Sequence, residues 1–352
     1  MHRCLELALL GNGHVAPNPM VGAVLVHTGR DTGEQRIIGE GFHQQYGKAH
    51  AEVNCIAAVK EEDKHLIAES TMYVSLEPCA HHGKTPPCAD LVIRVGIRRV
   101  VVGCRDPFPQ VNGKGIEKLI AAGVETTVGI LEKECIALNK RFFTFNTIHR
   151  PYIVLKWAQS FDGKIAGSGS GLGSGGRGRT HISNEFTNRL VHKWRSTEAA
   201  ILVGTRTALL DDPALNARLW TGPDPIRLVI DKELVLPPTL RLFDGKVRTV
   251  VFNLLRHEEE GMVQYYQVSD DSSLIHQLSV ALHRLKIQSV LVEGGARLLQ
   301  SFIDADCWDE ARVITNGELE LPGGLPAPQL GRVRNLRREK ILSDTISYYE
   351  HD

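Results

Sequence analysis

The stretch His50-Ala51-Glu52, followed by Thr71-Met72-Tyr73-Val74-Ser75-Leu76, Glu77-Pro78-Cys79 and Cys88, decides how the first part of the chain is read. The run 71–76 is apolar, β-prone and short, as a buried strand should be. Val53, Ile56 and Ala57 recur at helical spacing after His50, and Pro87 suits the first turn of another helix. A helix start, a strand end and a second helix start therefore bring one His and two Cys toward one point. These are ligands that zinc prefers, and three of them leave a fourth tetrahedral position open for water. Zinc held in this way lowers the pKa of that water to about 7. Glu52 lies only two residues from His50, too close for both to bind one ion comfortably, and is better placed to move protons.

Working outward, residues 2–10 carry Leu5, Ala8 and Leu9 at helical spacing. Strands are expected at 21–26, 36–41, 98–103 and 124–128, and helices at 50–60, 87 onward, 115–122 and 132–145. The alternation predicts a three-layer α/β/α domain over 1–146 with a mostly parallel central sheet. The ligands would lie at the switch point of that sheet. Asn18, between Pro17 and Pro19 just before the first strand, has an amide able to read a pyrimidine edge, and an ordinary Pro-Asn turn is the alternative.

At about residue 146 the pattern starts again. Strands are expected at 152–157, 199–203, 226–230, 247–251, 289–293, 310–315 and 345–350, with helices at 185–195, 273–285 and 295–303. Two glycine-rich places compete as a phosphate cradle. Gly171-Leu172-Gly173-Ser174-Gly175-Gly176 matches G-x-G-x-x-G literally but reads as a flexible loop, since no strand runs directly into it. Glu293-Gly294-Gly295 does follow a strand and open a helix, where backbone N–H groups can hold phosphate.

The 352 residues carry 41 Lys+Arg against 41 Asp+Glu, a balance that argues against a nucleic-acid partner. The basic run Arg332–Lys340 reads as solvated surface. No apolar stretch reaches the roughly 18 residues needed to span a membrane. Met1-His2-Arg3-Cys4-Leu5-Glu6 lacks a signal-peptide core. Besides Cys79 and Cys88, the scattered Cys4, Cys55, Cys104, Cys135 and Cys307 read as reduced thiols of a cytoplasmic protein. The expected assembly is a homo-oligomer.

The His-x-Glu and Pro-Cys pattern is that of zinc nucleobase deaminases, with a longer gap between the cysteines than their usual C-x-x-C. With that gap, the run Glu77 to Cys88 resembles the deaminase half of the bifunctional deaminase/reductase family of riboflavin biosynthesis. Residues 151–165, Trp194-Arg195-Ser196, Val203 to Arg218 and Glu293-Gly294-Gly295 resemble its reductase half, which has a dihydrofolate-reductase-like α/β fold. The resemblance covers nearly the whole chain and assigns 147–352 to an NADPH-dependent reductase domain.

It implies Glu52 as the catalytic proton shuttle, His50, Cys79 and Cys88 as zinc ligands, and a phosphorylated pyrimidine as substrate. Asn18, His81, Lys84, Lys156, Arg195, Leu215, Arg218 and Glu293 would contact that substrate. Ala158, Thr207, Asp211, Gly295, Ala296, Arg297, Leu298, Leu299, Gln300 and Ser301 would contact NADPH. The residue types suit these roles, since Arg195 and Arg218 are bidentate phosphate donors. Two departures stand out: Arg179 replaces a substrate-contacting Ser, and His181 a cofactor-contacting Trp. A nucleic-acid-editing deaminase and a deaminase with a non-catalytic C-terminal module are the rival readings.

Overall fold

The computed structural model describes the whole chain apart from residues 30, 82–85, 109–110, 168–180 and 352. The chain divides into two units, Met1–His149 and Arg150–Asp352. Lys84, the Gly171–Gly176 run and Arg179 lie outside the described residues.

The first unit runs α1 (His2–Leu9), β1 (Gly22–Thr28), β2 (Gln35–Phe42), α2 (Ala51–Ala57), β3 (Thr71–Leu76), α3 (Cys88–Arg94), β4 (Arg99–Cys104), α4 (Lys114–Ala121), β5 (Glu125–Val128), α5 (Glu132–Leu138) and α6 (Lys140–Thr147). Its sheet has the order β2-β1-β3-β4-β5. The pairs β3/β4 and β4/β5 are parallel, while β1 pairs antiparallel with both β2 and β3. The sheet is therefore half parallel rather than mostly parallel, because β1 and β2 form a hairpin. Alternate residues of β1 point to opposite faces. Ala23 and Leu25 join Ala51, Cys55, Ala89, Val92 and Leu119 on one face, and Val24 meets Cys4 and Leu7 on the other. Helices thus cover both sides, and β3 delivers the Glu77-Pro78-Cys79 turn at its C-terminal end.

The sequence predicts one helix over 132–145, but two are present, separated at Asn139. The Asn139 side chain accepts from Met20 N (2.8 Å) and donates to Met20 O (2.8 Å). A contact 119 residues away in the chain thus claims the side chain at the break. It also ties down the loop that carries Asn18.

The second unit runs β6 (Tyr152–Gln159), β7 (Lys164–Ala166), α7 (Glu185–Thr197), β8 (Ala200–Gly204), α8 (Thr205–Asp211), β9 (Ile226–Ile230), β10 (Thr249–Asn253), β11 (Glu258–Glu260), β12 (Val263–Gln267), α9 (Leu274–Arg284), β13 (Ser289–Val292), α10 (Ala296–Asp304), β14 (Glu310–Asn316), β15 (Leu325–Pro326), β16 (Val333–Ile341) and β17 (Asp344–His351). The main sheet has the order β11-β12-β10-β9-β8-β13-β6-β14-β17-β16. Strands β12 through β14 in that order pair in parallel, and antiparallel strands close both ends. The unbroken apolar run Tyr152–Leu155 follows from burial on both faces. Ile153 and Leu155 pack with Leu278, Leu282, Leu299 and Phe302 of α9 and α10. Tyr152 and Val154 pack with Val191 and Trp194 of α7.

Candidate active sites

His50 stands at the N-cap of α2 in extended conformation, Cys88 opens α3, and Cys79 follows β3. Their ligand atoms all lie within 4.8 Å of one another. His50 Nδ1 is 3.6 Å from Cys79 Sγ and 3.4 Å from Cys88 Sγ. A tetrahedral zinc with its usual Zn–S and Zn–N bonds would separate such atoms by about 3.5 Å, so the donor set fits that ion in both chemistry and spacing. The Cys88 amide also donates to Cys79 Sγ (3.3 Å). Hydrogen bonding from the Cys88 thiol lowers the Cys79 thiol to about 4 against a burial cost, and His50 lowers it further. Cys88 is pushed up by the same hydrogen bond and by burial.

Glu52 sits in the first turn of α2 and is 3% exposed. Burial, then the nearby Cys79 charge, push its carboxyl up to about 7, with His50 opposing. A carboxyl near neutrality beside the ligand triad can both take and give a proton.

Asn18 Nδ2 lies 3.1 Å from His43 Nε2, and His43 Nδ1 lies 3.0 Å from Ala49 O. The His43 ring also meets the His50 ring edge-on, at 5.3 Å between centroids. Ala49 O accepts from Nδ1–H, which leaves Nε2 to accept from the Asn18 amide. Sequence reasoning passed over His43. Its only signal was a His at the end of a strand, which is usually a satisfied core residue. His81 is exposed, with its ring 6.4 Å from that of Phe108.

In the second unit, Arg195 of α7 and Glu293 at the end of β13 form a two-pronged pair, Nε–Oε1 and Nη2–Oε2 both 2.8 Å. Lys156 Nζ of β6 lies 3.7 Å from Glu293 Oε2. Burial disfavours the Glu293 charge, but Arg195 and Lys156 outweigh it and hold the carboxyl at about 2. Asn216 joins two further predicted residues: its carbonyl accepts from Arg195 Nη1 (3.2 Å), and its Oδ1 accepts from Arg218 Nη1 (2.9 Å). Leu215 beside it is buried at φ 50°. Asn216 is a second residue that sequence reasoning left without a role.

Strands β8 and β13 are adjacent and parallel, so α8 and α10 start at the same edge of the sheet. A Cβ built on Gly295, the N-cap of α10, would come 3.3 Å from Thr207 Oγ1. Thr207 and Gly295 are thus neighbours, with Asp211 ending α8. Ala158 lies on β6, paired with Ile314. Ala296, Arg297 and Leu298 form the first turn of α10. Leu299 is turned wholly into the core. Gln300 accepts from Gln329 N (2.9 Å), and Ser301 Oγ donates to Arg297 O (2.8 Å). His181 is exposed.

Residues 1–104 match the family model for the cytidine and deoxycytidylate deaminase zinc-binding region, and residues 151–317 match that of the RibD C-terminal domain. The riboflavin biosynthesis protein RibD of Aquifex aeolicus is 36% identical over 99% of this chain and 97% of its own length. That of Escherichia coli is 34% identical over 88% of this chain and 84% of its own. A solved diaminohydroxyphosphoribosylaminopyrimidine deaminase/5-amino-6-(5-phosphoribosylamino)uracil reductase from Thermotoga maritima superposes with a TM-score of 0.87 at 36% identity, covering 100% of this chain and 97% of that one.

Fold and site together define a zinc-dependent deaminase joined to an NADPH-dependent reductase. The chain belongs to the RibD family, the bifunctional deaminase/reductases of riboflavin biosynthesis. Among the described residues, no helix is long and apolar enough to cross a membrane.

Proposed function

We propose that the first unit deaminates 2,5-diamino-6-(5-phosphoribosylamino)pyrimidin-4(3H)-one at C2, and that the second reduces the ribosyl side chain of the product to ribityl with NADPH. The observation that carries the first half is a buried Glu52 carboxyl beside three atoms spaced as zinc ligands. His50, Cys79 and Cys88 hold the ion, which when bound supplies an acidified water. Glu52 takes a proton from the water and returns it to the departing amine, so that water is consumed and ammonia released. Asn18, oriented by His43, reads the pyrimidine edge, and His81 and Lys84 are the proposed contacts of the phosphorylated substrate.

In the second unit, Arg195 and Arg218 hold the substrate, positioned through Asn216, with Lys156, Glu293 and Leu215 completing its seat. Ala158, Thr207, Asp211 and the segment Gly295–Ser301 form the NADPH seat, Leu299 by anchoring α10 in the core, since its N–H pairs with Gly295 O (3.2 Å). The hydride goes to C1 of the opened sugar, and the protein's part is orientation.

Seven free cysteines support a cytoplasmic setting, and the balanced charge supports a small-molecule substrate rather than nucleic acid. A homo-oligomer is the proposed assembly. The decisive experiment supplies the diaminopyrimidine substrate and follows ammonia release and NADPH oxidation together. Ammonia should appear without NADPH, and NADPH should be consumed only after deamination. NADPH oxidation with no prior ammonia would overturn the proposed order. Filter binding with tRNA should show no retention.

A further inference from the structure

Glu77 lies two residues before Cys79 and is 4% exposed. Its carboxylate accepts four backbone N–H groups from a segment 29 to 39 residues further along. Oε2 receives Asp106 N (3.2 Å) and Gly113 N (2.9 Å), and Oε1 receives Gly115 N (2.9 Å) and Ile116 N (3.4 Å). The last two are first-turn amides of α4, which have no partner within their own helix. The same segment rests directly on the ligand turn, since a Cβ on Gly115 would come 1.8 Å from Pro78 O. The Glu77 amide itself donates to Cys104 O (3.0 Å), which fixes where the side chain starts.

This contact continues toward His81. Asp106, held by Glu77, accepts from Phe108 N (2.8 Å), and the Phe108 ring faces the His81 ring. His81 follows Cys79 by two residues. Four donors converging on one carboxylate far exceed what a single helix start needs. They fasten Asp106 and the start of α4, Gly113 to Ile116, to the turn that carries Cys79. We propose that Glu77 is a positioning residue of the deaminase, a clamp that holds Asp106 to Phe108 and Gly113 to Ile116 as a wall of the substrate site beside Cys79 and His81. Glu77 touches neither substrate nor reacting atoms, and its effect on the reaction passes through the position of that wall. The proposal rests on the reading of His50, Cys79 and Cys88 as the zinc site.

Glu77→Gln is the test, because the amide keeps the shape but turns an NH2 toward N–H donors. In the full-length protein, zinc should stay at one per chain and reduction of pre-deaminated substrate should be unchanged. The deaminase KM should rise about tenfold with kcat little changed, as expected for loss of a charged acceptor. Combining Glu77→Gln with Phe108→Ala should give less than the sum of the two effects, since both act on one wall. An unchanged KM, or strict additivity with Phe108→Ala, would overturn the clamp. If Glu77→Gln yields no folded protein, Glu77→Asp decides. It keeps the charge but has a shorter reach, so a raised KM with zinc retained supports the clamp and a wild-type KM rejects it. Loss of zinc in either variant would assign Glu77 to the metal site instead. A deaminase that tolerated both Cys88→Ser and Glu52→Gln would refute the zinc site itself.

Discussion

Each unit is built around a buried glutamate, and the two are treated in opposite ways. Among the described residues no Lys or Arg pairs with Glu52, so burial and the nearby Cys79 charge push its carboxyl up to about 7. Glu293 is also largely hidden, but Arg195 grips both its oxygens and Lys156 stands close, so it is held at about 2. The same side chain is thus left near neutrality in one place, as the proposed proton carrier needs, and held as a fixed anion in the other. Neighbouring charge, rather than depth, separates the two roles.

The largest expected effect breaks the first half of that contrast. Glu52→Gln preserves shape but cannot carry a proton, so deaminase turnover should fall about 10²–10⁴-fold. Zinc content and reductase activity should be unchanged. Ammonia release under saturating substrate measures it, and a near wild-type rate would remove Glu52 from the shuttle role.

Breaking the second half should instead cost stability. Glu293→Gln leaves the Arg195 and Lys156 cations buried without their anion, and unpairing a buried ion of this kind costs about 3–5 kcal/mol. Denaturant unfolding followed by a probe in the second unit should show an earlier midpoint, with the first unit unaffected. A midpoint equal to wild type would mean the pair is not isolated from water.

A smaller pair of effects sharpens the reductase half. Arg218→Ala removes a charged donor and should raise the KM for the phosphorylated substrate by about tenfold, leaving that for NADPH alone. Gly295→Val should do the reverse, since even a Cβ there meets Thr207 Oγ1 at 3.3 Å. If both variants moved the same constant, substrate and cofactor would not occupy separate ends of the site.

The smallest effect is a pH dependence. The folded pKa of Glu293 lies below its ordinary value of 4.5, so its contribution to stability is complete above 4.5. That contribution should fade as pH drops from 4.5 toward about 2. The stability of the second unit should therefore fall over that window in the wild type and fall less steeply in Glu293→Gln. Equal slopes would place the acid sensitivity elsewhere.

Much of this architecture was legible in the residues. Apolar runs such as Tyr152–Leu155 and Ser289–Val292 name buried parallel strands because side chains on both faces must be apolar. The edge strand β16 was missed for the converse reason. Val333–Ile341 is mostly exposed and strongly basic, so only its pairing with β17 makes it a strand. Its reading as solvated surface was right about the side chains and silent about the backbone. The break at Asn139 escaped because the partner that claims its side chain, Met20, lies 119 residues away in the chain.

The sites divide along the same line. His50, Cys79 and Cys88 could be read from sequence because metal coordination demands particular atoms, and particular atoms mean particular residue types at recurrent spacings. Glu52 was legible for its nearness to His50. The sequence by itself thus determined the α/β class, the His50, Cys79 and Cys88 set that the fold gathers as a candidate metal site, and the list of chemically capable side chains. Tertiary structure alone decided which groups meet: His43 with Asn18, Asn216 with both arginines, and Glu77 with four amides beyond residue 105. It also decided that Glu52 titrates near 7 and Glu293 near 2. The physical reason is that residue type sets what an atom can bond, while burial and neighbouring charge exist only once distant segments are packed together.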